Sequence, residues 1–323
     1  MEEKERARMK ATLVKLNRKL GDKLYSGAFL APSFIGVMTF FIAPFFVVIY
    51  YAMIDSPVRQ NFVWFDNFER VLGNWAFQTA AQHTIMFSAI AVPLAVALAL
   101  GLAVLLEQKI PAKSQLRTFF LSPMMVPVAS IVLIWQVLFH QNGAVNDLLS
   151  TIGSATGWFS YERFYTLSDG RVINQWIDWF SSGYNQFPIV LLFLWKNLGY
   201  NMILFMAALN NIPKDLIEVA QIEGGGAFYI FRTVKMRFLS PTILFVTILS
   251  LINSFRVFRE VFLLTGAHPY GGLYMLQHYM NNMFEALDFQ SLAAAAIIMC
   301  IVMIGIIGLL FLIESRYGKD VEG

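Results

Sequence analysis

The chain has 323 residues, of which 57% are hydrophobic and only 14% charged, with a net charge of +3. Soluble domains carry about 25% charged residues, and surface-to-volume scaling leaves no single core able to hide this much apolar side chain, so lipid is the fitting solvent. One cysteine, Cys300, excludes an internal disulfide, and four scattered histidines show no metal-ligand spacing.

A spanning helix needs about 20 mostly apolar residues, and six stretches of the chain meet that need. Residues 1–27 precede the first as a basic tail. In it Leu13, Leu16, Leu20 and Leu24 recur at helical spacing, while Lys10, Arg18, Lys19 and Lys23 fall mostly off that stripe. Two readings stand for it: a helix lying on an anionic leaflet, weakened by Gly21, or a solvated tail that only sets orientation. The first span is predicted over residues 28–52, too far in and too long for the core of a cleaved leader. Trp64, Phe65, Phe68 and Trp75 follow in residues 53–81. The second span, 84–106, contains Pro93, which predicts a kink rather than a binding role. The third, 118–139, carries the run Ser122-Pro123-Met124-Met125-Val126-Pro127, suited to packing or hinging. Residues 140–187 are long for an unstructured loop. With Trp158, Phe159, Tyr161, Phe164, Trp176 and Trp179 they are expected to fold in part and to face another protein, some of the rings joining an interfacial belt. The fourth span is predicted over 188–209, the fifth over 241–264, the sixth over 291–313, and a short tail, 314–323, closes the chain. The fold class is thus all-α and polytopic, with six transmembrane helices.

Orientation follows from Lys and Arg in the connecting segments. The tails and the even-numbered connections hold 17, whereas the other side holds only Arg59, Arg70, Arg163 and Arg171. Both termini are therefore predicted to be cytoplasmic.

Residues 210–240, on that same side, are more than half apolar yet too broken to span. They read as helix, glycine turn, helix. Asn211 is placed to cap the first helix and Pro213 suits its first turn. Leu216, Ile217 and Ala220 form an apolar stripe, and Lys214, Glu218 and Gln221 face away. Gly224, Gly225 and Gly226 stop the helix and let the backbone reverse. A second helix follows with Phe228, Phe231, Val234 and Phe238. The pattern describes a short amphipathic helix that offers one face to a partner, or an interfacial helix without one.

The run Glu218-Val219-Ala220, then Glu223-Gly224, then Phe231 resembles the EAA loop of ABC importer permeases, about 100 residues from the C-terminus as in that family. Val219, Glu223 and Gly225 stand where Ala, Asp and Ala are usual, and Arg237 where many members have Pro. Further stretches resemble the maltose-type carbohydrate permeases: Phe29-Leu30-Ala31-Pro32 with Ala43-Pro44, Trp64 to Phe68, Arg117 to Pro127, Trp195-Lys196-Asn197 through Ile212-Pro213, and Phe258 through Gly266 and Pro269, where Ala267 and His268 replace glycines. The resemblance covers roughly Phe29 to Ile313. It implies a permease domain over 28–313 whose coupling helix, with Leu216, Ile217, Glu218, Ala220, Glu223 and Gly224, seats in a cytoplasmic ATPase. It implies as partners a second permease subunit, commonly in a heterodimer, two ATPase subunits and an extracytoplasmic solute-binding protein, in the bacterial cytoplasmic membrane. No nucleic-acid partner is implied. This chain itself would bind no cofactor, ATP and Mg belonging to the partner ATPase.

A charge at mid-bilayer costs about 2.5–3.5 kcal/mol even on the lenient insertion scale. Lys196 falls near the middle of the fourth span, and Arg256, Arg259 and Glu260 in the outer half of the fifth. Arg256 and Glu260 are four apart and share a helix face. Asn197, Asn201 and Asn253 add amides, and Trp135, Trp195 and Phe255 add rings. A sugar path needs both, since each hydroxyl stripped of water must find a partner. The third, fourth and fifth spans are therefore expected to line the pathway. The competing readings are an intramembrane ion pair, a contact with the partner permease, and, for the amides, helix–helix glue.

No GxxxxGK[ST], HExxH or GxSxG motif occurs, so the chain is not expected to be an enzyme. An ion-coupled secondary transporter would want intramembrane carboxylates, and Glu260 is the only clear one. An importer of a glycerophosphate-type solute shares every feature named above.

Overall fold

The computed structural model describes residues 27, 29–108, 110–157, 164–166, 172–174 and 177–317. The amphipathic stripe Leu13 to Leu24 and the closing tail after Tyr317 lie outside the described residues. The fold is mostly helical. Five helices are long and apolar enough to cross a membrane, and a bent pair makes a sixth. The chain divides into two compact units, one holding the described residues up to Glu69 with Phe289–Ile297, the other Arg70–Asp288 with the described residues from Ile298 on.

In the first unit α1, Phe29–Ala52, carries a π-helical turn at Met38–Ile42. Its side chains are largely exposed, Phe29, Phe40 and Phe41 among them, which suits a helix facing lipid. After it an isolated bridge joins Ile54 and Phe62. The buried Asn67 amide, at the start of α2, Asp66–Leu72, donates to the carbonyls of Ala52 (3.0 Å) and Ile54 (2.8 Å) and closes this turn.

The second unit is built around α3, Trp75–Glu107, and α7, Gln186–Asn210. Ala91, Ala95, Ala99 and Ala103 recur every fourth residue on α3 and are all fully buried. Such a small-residue stripe lets helices approach closely in lipid, where packing rather than water drives association. Between these helices Phe87 meets Phe193 edge-on at 5.7 Å. α9, Ala227–Thr265, holds a π-helical turn at Phe231–Lys235 and is broken at Val257 between Met236–Arg256 and Phe258–Thr265. Hydroxyl and amide pairs stitch it to the centre: Ser88 to Ser254 at 2.8 Å and Asn201 to Ser250 at 2.9 Å. α10, Leu276–Glu285, is tied to α3 by the Leu276 N–H donating to Thr84 Oγ1 at 2.9 Å. The last helix, α11, runs Phe289–Tyr317.

The third span is not one helix. α4, Lys113–Met125, and α5, Val128–Leu138, meet at 100°. Pro127 lacks the N–H that would continue α4 and pushes Val126 out of the helical region, to ψ 131°. The hinge reading of the Pro-Met-Met-Val-Pro run thus has its cause in Pro127. α4 lies against α7 so closely that a Cβ on Gly199 would sit 1.9 Å from the Phe120 carbonyl oxygen.

Between α5 and α7 the chain forms α6, Ala144–Thr156. It also makes the one departure from the all-α expectation among the described residues: strands β1, Phe164–Thr166, and β2, Val172–Asn174, paired antiparallel with Tyr165 opposite Ile173. The buried Asn146 of α6 holds this region to the bundle, donating to the Gln141 and Ile177 carbonyls and accepting from the Trp179 indole at 3.0 Å.

Candidate functional site

A cavity of about 620 Å³ opens where the α4–α5 bend, α7, the break in α9 and α10 meet. Six residues named from the sequence line it: Lys196, Asn197, Asn253, Arg256, Arg259 and Glu260. Lys196 and Asn197 come from the middle of α7, one turn after Phe193. Asn253 and Arg256 end the long part of α9, and Arg259 and Glu260 begin the part after the break.

The polar groups are ordered among themselves. The Lys196 ammonium bonds Glu260 Oε1, the carboxylate lying almost wholly buried. The Asn253 amide donates to Asn197 Oδ1 at 2.9 Å, and the Asn197 amide donates to the Phe193 carbonyl at 2.8 Å. Arg256 and Glu260 share the cavity face, as their spacing of four predicts, but the carboxylate is bonded from across the cavity by Lys196. Both arginines are exposed. Met124 and Val128 flank the α4–α5 bend and form an apolar wall; Tyr200 and Gln277 add a phenol and an amide. Sequence reasoning missed these last two. Tyr200 was within reach, since it follows Lys196 and Asn197 by one helical turn. Gln277 sits on α10, a helix with no apolar run to mark it.

Four expected lining residues lie elsewhere. Trp135 and Trp195 meet at 5.2 Å with their rings tilted by 34°, Trp195 packing on a core of Trp135, Phe139 and Trp179, and the Trp135 indole donates to the Pro188 carbonyl at 2.9 Å. Asn201 is buried against Ser250 as helix–helix glue. Phe255 faces a second, apolar cavity of about 440 Å³ beside Pro93 of α3 and Ile298 of α11.

The loop after α7 forms α8, Lys214–Ile222, and a glycine turn before α9. Asn211 ends α7 and Pro213 occupies the N-cap, with no side-chain cap bond, where Asn211 had been expected. Gly224 has φ +82°, a conformation that favours glycine. The Gly225 N–H bonds the Ala220 carbonyl at 2.9 Å, and a Cβ there would meet that oxygen at 2.7 Å and the Tyr229 ring at 2.8 Å. A Cβ at position 225 thus has no room in this chain. The expected stripe is split. Ala220 is buried and Ile217 half-buried, whereas Leu216, Val219 and Ile222 are exposed beside Glu218, Glu223 and Gly224. Past the turn, Lys235 pairs with Glu107 at the end of α3 at 2.6 Å.

Outside the spanning helices, His278 of α10 is fully buried. Burial first, then the charge of His268, pushes its imidazole down to about 4. Nδ1 accepts from the Met275 N–H at 3.3 Å, and Nε2 has no hydrogen-bond partner.

The family model of binding-protein-dependent transport system inner membrane components matches residues 91–318, more than half of the chain. The probable starch degradation products transport system permease protein AmyD of Thermoanaerobacterium thermosulfurigenes is 26% identical over 280 residues, covering 85% of this chain and 88% of that protein. The trehalose/maltose transport system permease protein MalF of Thermococcus litoralis is 27% identical over 264 residues, covering 81% and 82%. A chain of the bacterial alginate ABC transporter, crystallised with its alginate pentasaccharide-bound periplasmic protein, superposes with a TM-score of 0.76 over 94% of this chain and 98% of that one, at 17% identity. At that identity the likeness is one of fold.

Proposed function

The chain belongs to the family of binding-protein-dependent transport system inner membrane components, and from that premise we propose that it is one of two membrane-spanning subunits of an ABC importer in the bacterial cytoplasmic membrane. Its cargo is a carbohydrate handed over by an extracytoplasmic binding protein. ATP and Mg are bound by separate ATPase subunits. The observation that carries the reading is the polar cavity set among spanning helices, where amides and charged groups stand ready for hydroxyls stripped of water. The names of the sugar-transport relatives support the solute class, and the periplasmic protein of the alginate transporter supports the delivery partner.

The mechanism is alternating access. α8 presents Leu216, Val219 and Ile222 with Glu218 and Glu223 to the ATPase. α9 starts directly after the glycine turn and reaches Asn253 about 39 Å away, at 1.5 Å per residue. It serves as a lever: movement of α8 on ATPase closure is delivered to the cavity wall, with the Lys235–Glu107 pair making α3 follow. Glu218→Lys reverses a charge on the docking face and leaves the spanning helices untouched. The expected result is loss of co-purifying ATPase, and of ATP hydrolysis by the extract, from a protein still present in the membrane. ATPase recovered at the wild-type ratio would refute the docking assignment.

A further inference from the structure

The cavity holds three cations, Lys196, Arg256 and Arg259, and one carboxylate, Glu260. Glu260 is bonded by Lys196, which leaves its charge matched within that pair. Arg256 and Arg259 make no ion pair among the described residues, and the remaining lining groups are neutral. Guanidinium does not deprotonate in proteins, so these two, exposed at the cavity, stay charged whatever it holds. Both belong to a helix that crosses the membrane, where an unmatched charge is costly. A neutral sugar would satisfy Asn197 and Asn253 and leave two guanidiniums unmatched. The planar guanidinium fork fits the paired oxygens of a carboxylate, sulfonate or phosphate.

Resting on the pathway reading above, we propose that the transported solute is anionic: a sugar or polyol carrying a carboxylate, sulfonate or phosphate, its acid held by Arg256 and Arg259 and its hydroxyls by Asn197 and Asn253. Glu260 then serves to keep Lys196 from adding a third positive charge, which would hold the anion too tightly to release.

The sign of the potential in the cavity can be measured without knowing the solute. In the complete transporter carrying Cys300→Ala, a single cysteine is introduced as Asn253→Cys or, from a different helix, Gln277→Cys. Val58→Cys, at a loop residue 90% exposed, serves as reference. Each is modified with the anionic sulfonatoethyl and the cationic trimethylammonioethyl methanethiosulfonates. Two unmatched positive charges raise the anion-to-cation rate ratio over the reference by at least about fivefold at physiological salt, and adding Arg256→Gln with Arg259→Gln returns it toward the reference. A reactive cysteine with a ratio at or below the reference overturns the proposal, since another group, such as a carboxylate of the second permease, then matches the arginines. If neither position reacts while Val58→Cys does, the cavity is not a water-filled path, and the pathway reading falls with this one. Protection of the cysteine by a galacturonate trisaccharide assigns a carboxylate and protection by sn-glycerol 3-phosphate a phosphate ester. Protection by maltotriose with neither anion overturns the proposal.

Discussion

Replacing Glu260 by Gln removes the only carboxylate of the cavity and leaves the Lys196 ammonium beside two arginines. Breaking a buried ion pair from one side costs about 3–5 kcal/mol, because the remaining charge is stranded. The Glu260 side chain is 6% exposed but Lys196 is 26% exposed and can draw water from the cavity, so the lower end, about 3 kcal/mol, applies. By the size scaling of unfolding entropy this is roughly a 4 °C fall in the melting temperature of a chain of this length. Adding Lys196→Met removes the stranded charge as well, and the double variant should recover at least half of the loss. The assay is a double-mutant cycle by thermal unfolding of the detergent-solubilised transporter, with Glu260→Gln, Lys196→Met and the pair measured side by side. A Glu260→Gln protein melting within 1 °C of the parent, or single effects that simply add in the double variant, would refute the pairing and the charge balance drawn from it.

Two further outcomes follow from geometry. Gly199→Ala places a Cβ 1.9 Å from a backbone oxygen of α4, and relieving it moves that helix by more than about 1 Å at an overpacking cost of roughly 3 kcal/mol. The yield of folded protein on size-exclusion chromatography should drop several-fold. Gly101→Ala in α3, where a Cβ meets nothing within 4 Å, should leave it unchanged or raise it. His278 is held neutral by burial, its pKa down to about 4 from the ordinary 6.5. The unfolded chain therefore takes up the proton first as pH falls, so stability is full above pH 6.5 and declines between about 6.5 and 4, by up to about 3 kcal/mol. A melting temperature that is flat across this window, or that falls equally in His278→Phe, would count against it.

The spanning helices were legible because the membrane signal adds up residue by residue over a whole helix. Their ends were not. α3 begins at Trp75, where Asn74 caps it, rather than near Thr84, and the start was hidden because Gln78, Gln82 and His83 dilute the hydropathy of the first turns. The break between α4 and α5 was half legible: two prolines announce a hinge, but not its 100° angle. Within the site, helical phase sorts right from wrong. On α7, Phe193, Lys196, Asn197 and Tyr200 share a face, and Asn201 falls off it. On α9, Asn253, Arg256, Val257 and Glu260 share a face, and Phe255 points nearly opposite, at 100° per residue. Closeness in sequence had grouped Trp195 and Phe255 with the pathway where phase would have removed Phe255. Arg259 is the instructive case: it points roughly 120° away from Asn253 but only about 60° from Arg256, so it lines the cavity from the edge of that face.

The same reasoning explains why α8 reads as a docking element rather than a buried one. Its apolar residues do not fall on one face: Ile217 packs on the core of α3 and α7 and Ala220 is buried, while Leu216, Val219 and Ile222 are exposed. Val219 is 52% exposed and Ile222 86%. A nine-residue helix is too short to hold itself in water, and one packed face supports it only from one side. Leucine, valine and isoleucine left bare on the other, beside exposed Phe228 and Tyr229 across the glycine turn, make an apolar patch rimmed by Glu218 and Glu223, the kind of surface that marks a protein interface. Gly224 and Gly225 fix how that patch is presented, the first by its left-handed backbone and the second by leaving no room for a Cβ. The geometry that sets α8 against α9 is therefore a property of the glycine turn, and the lever proposed above requires that the turn be kept.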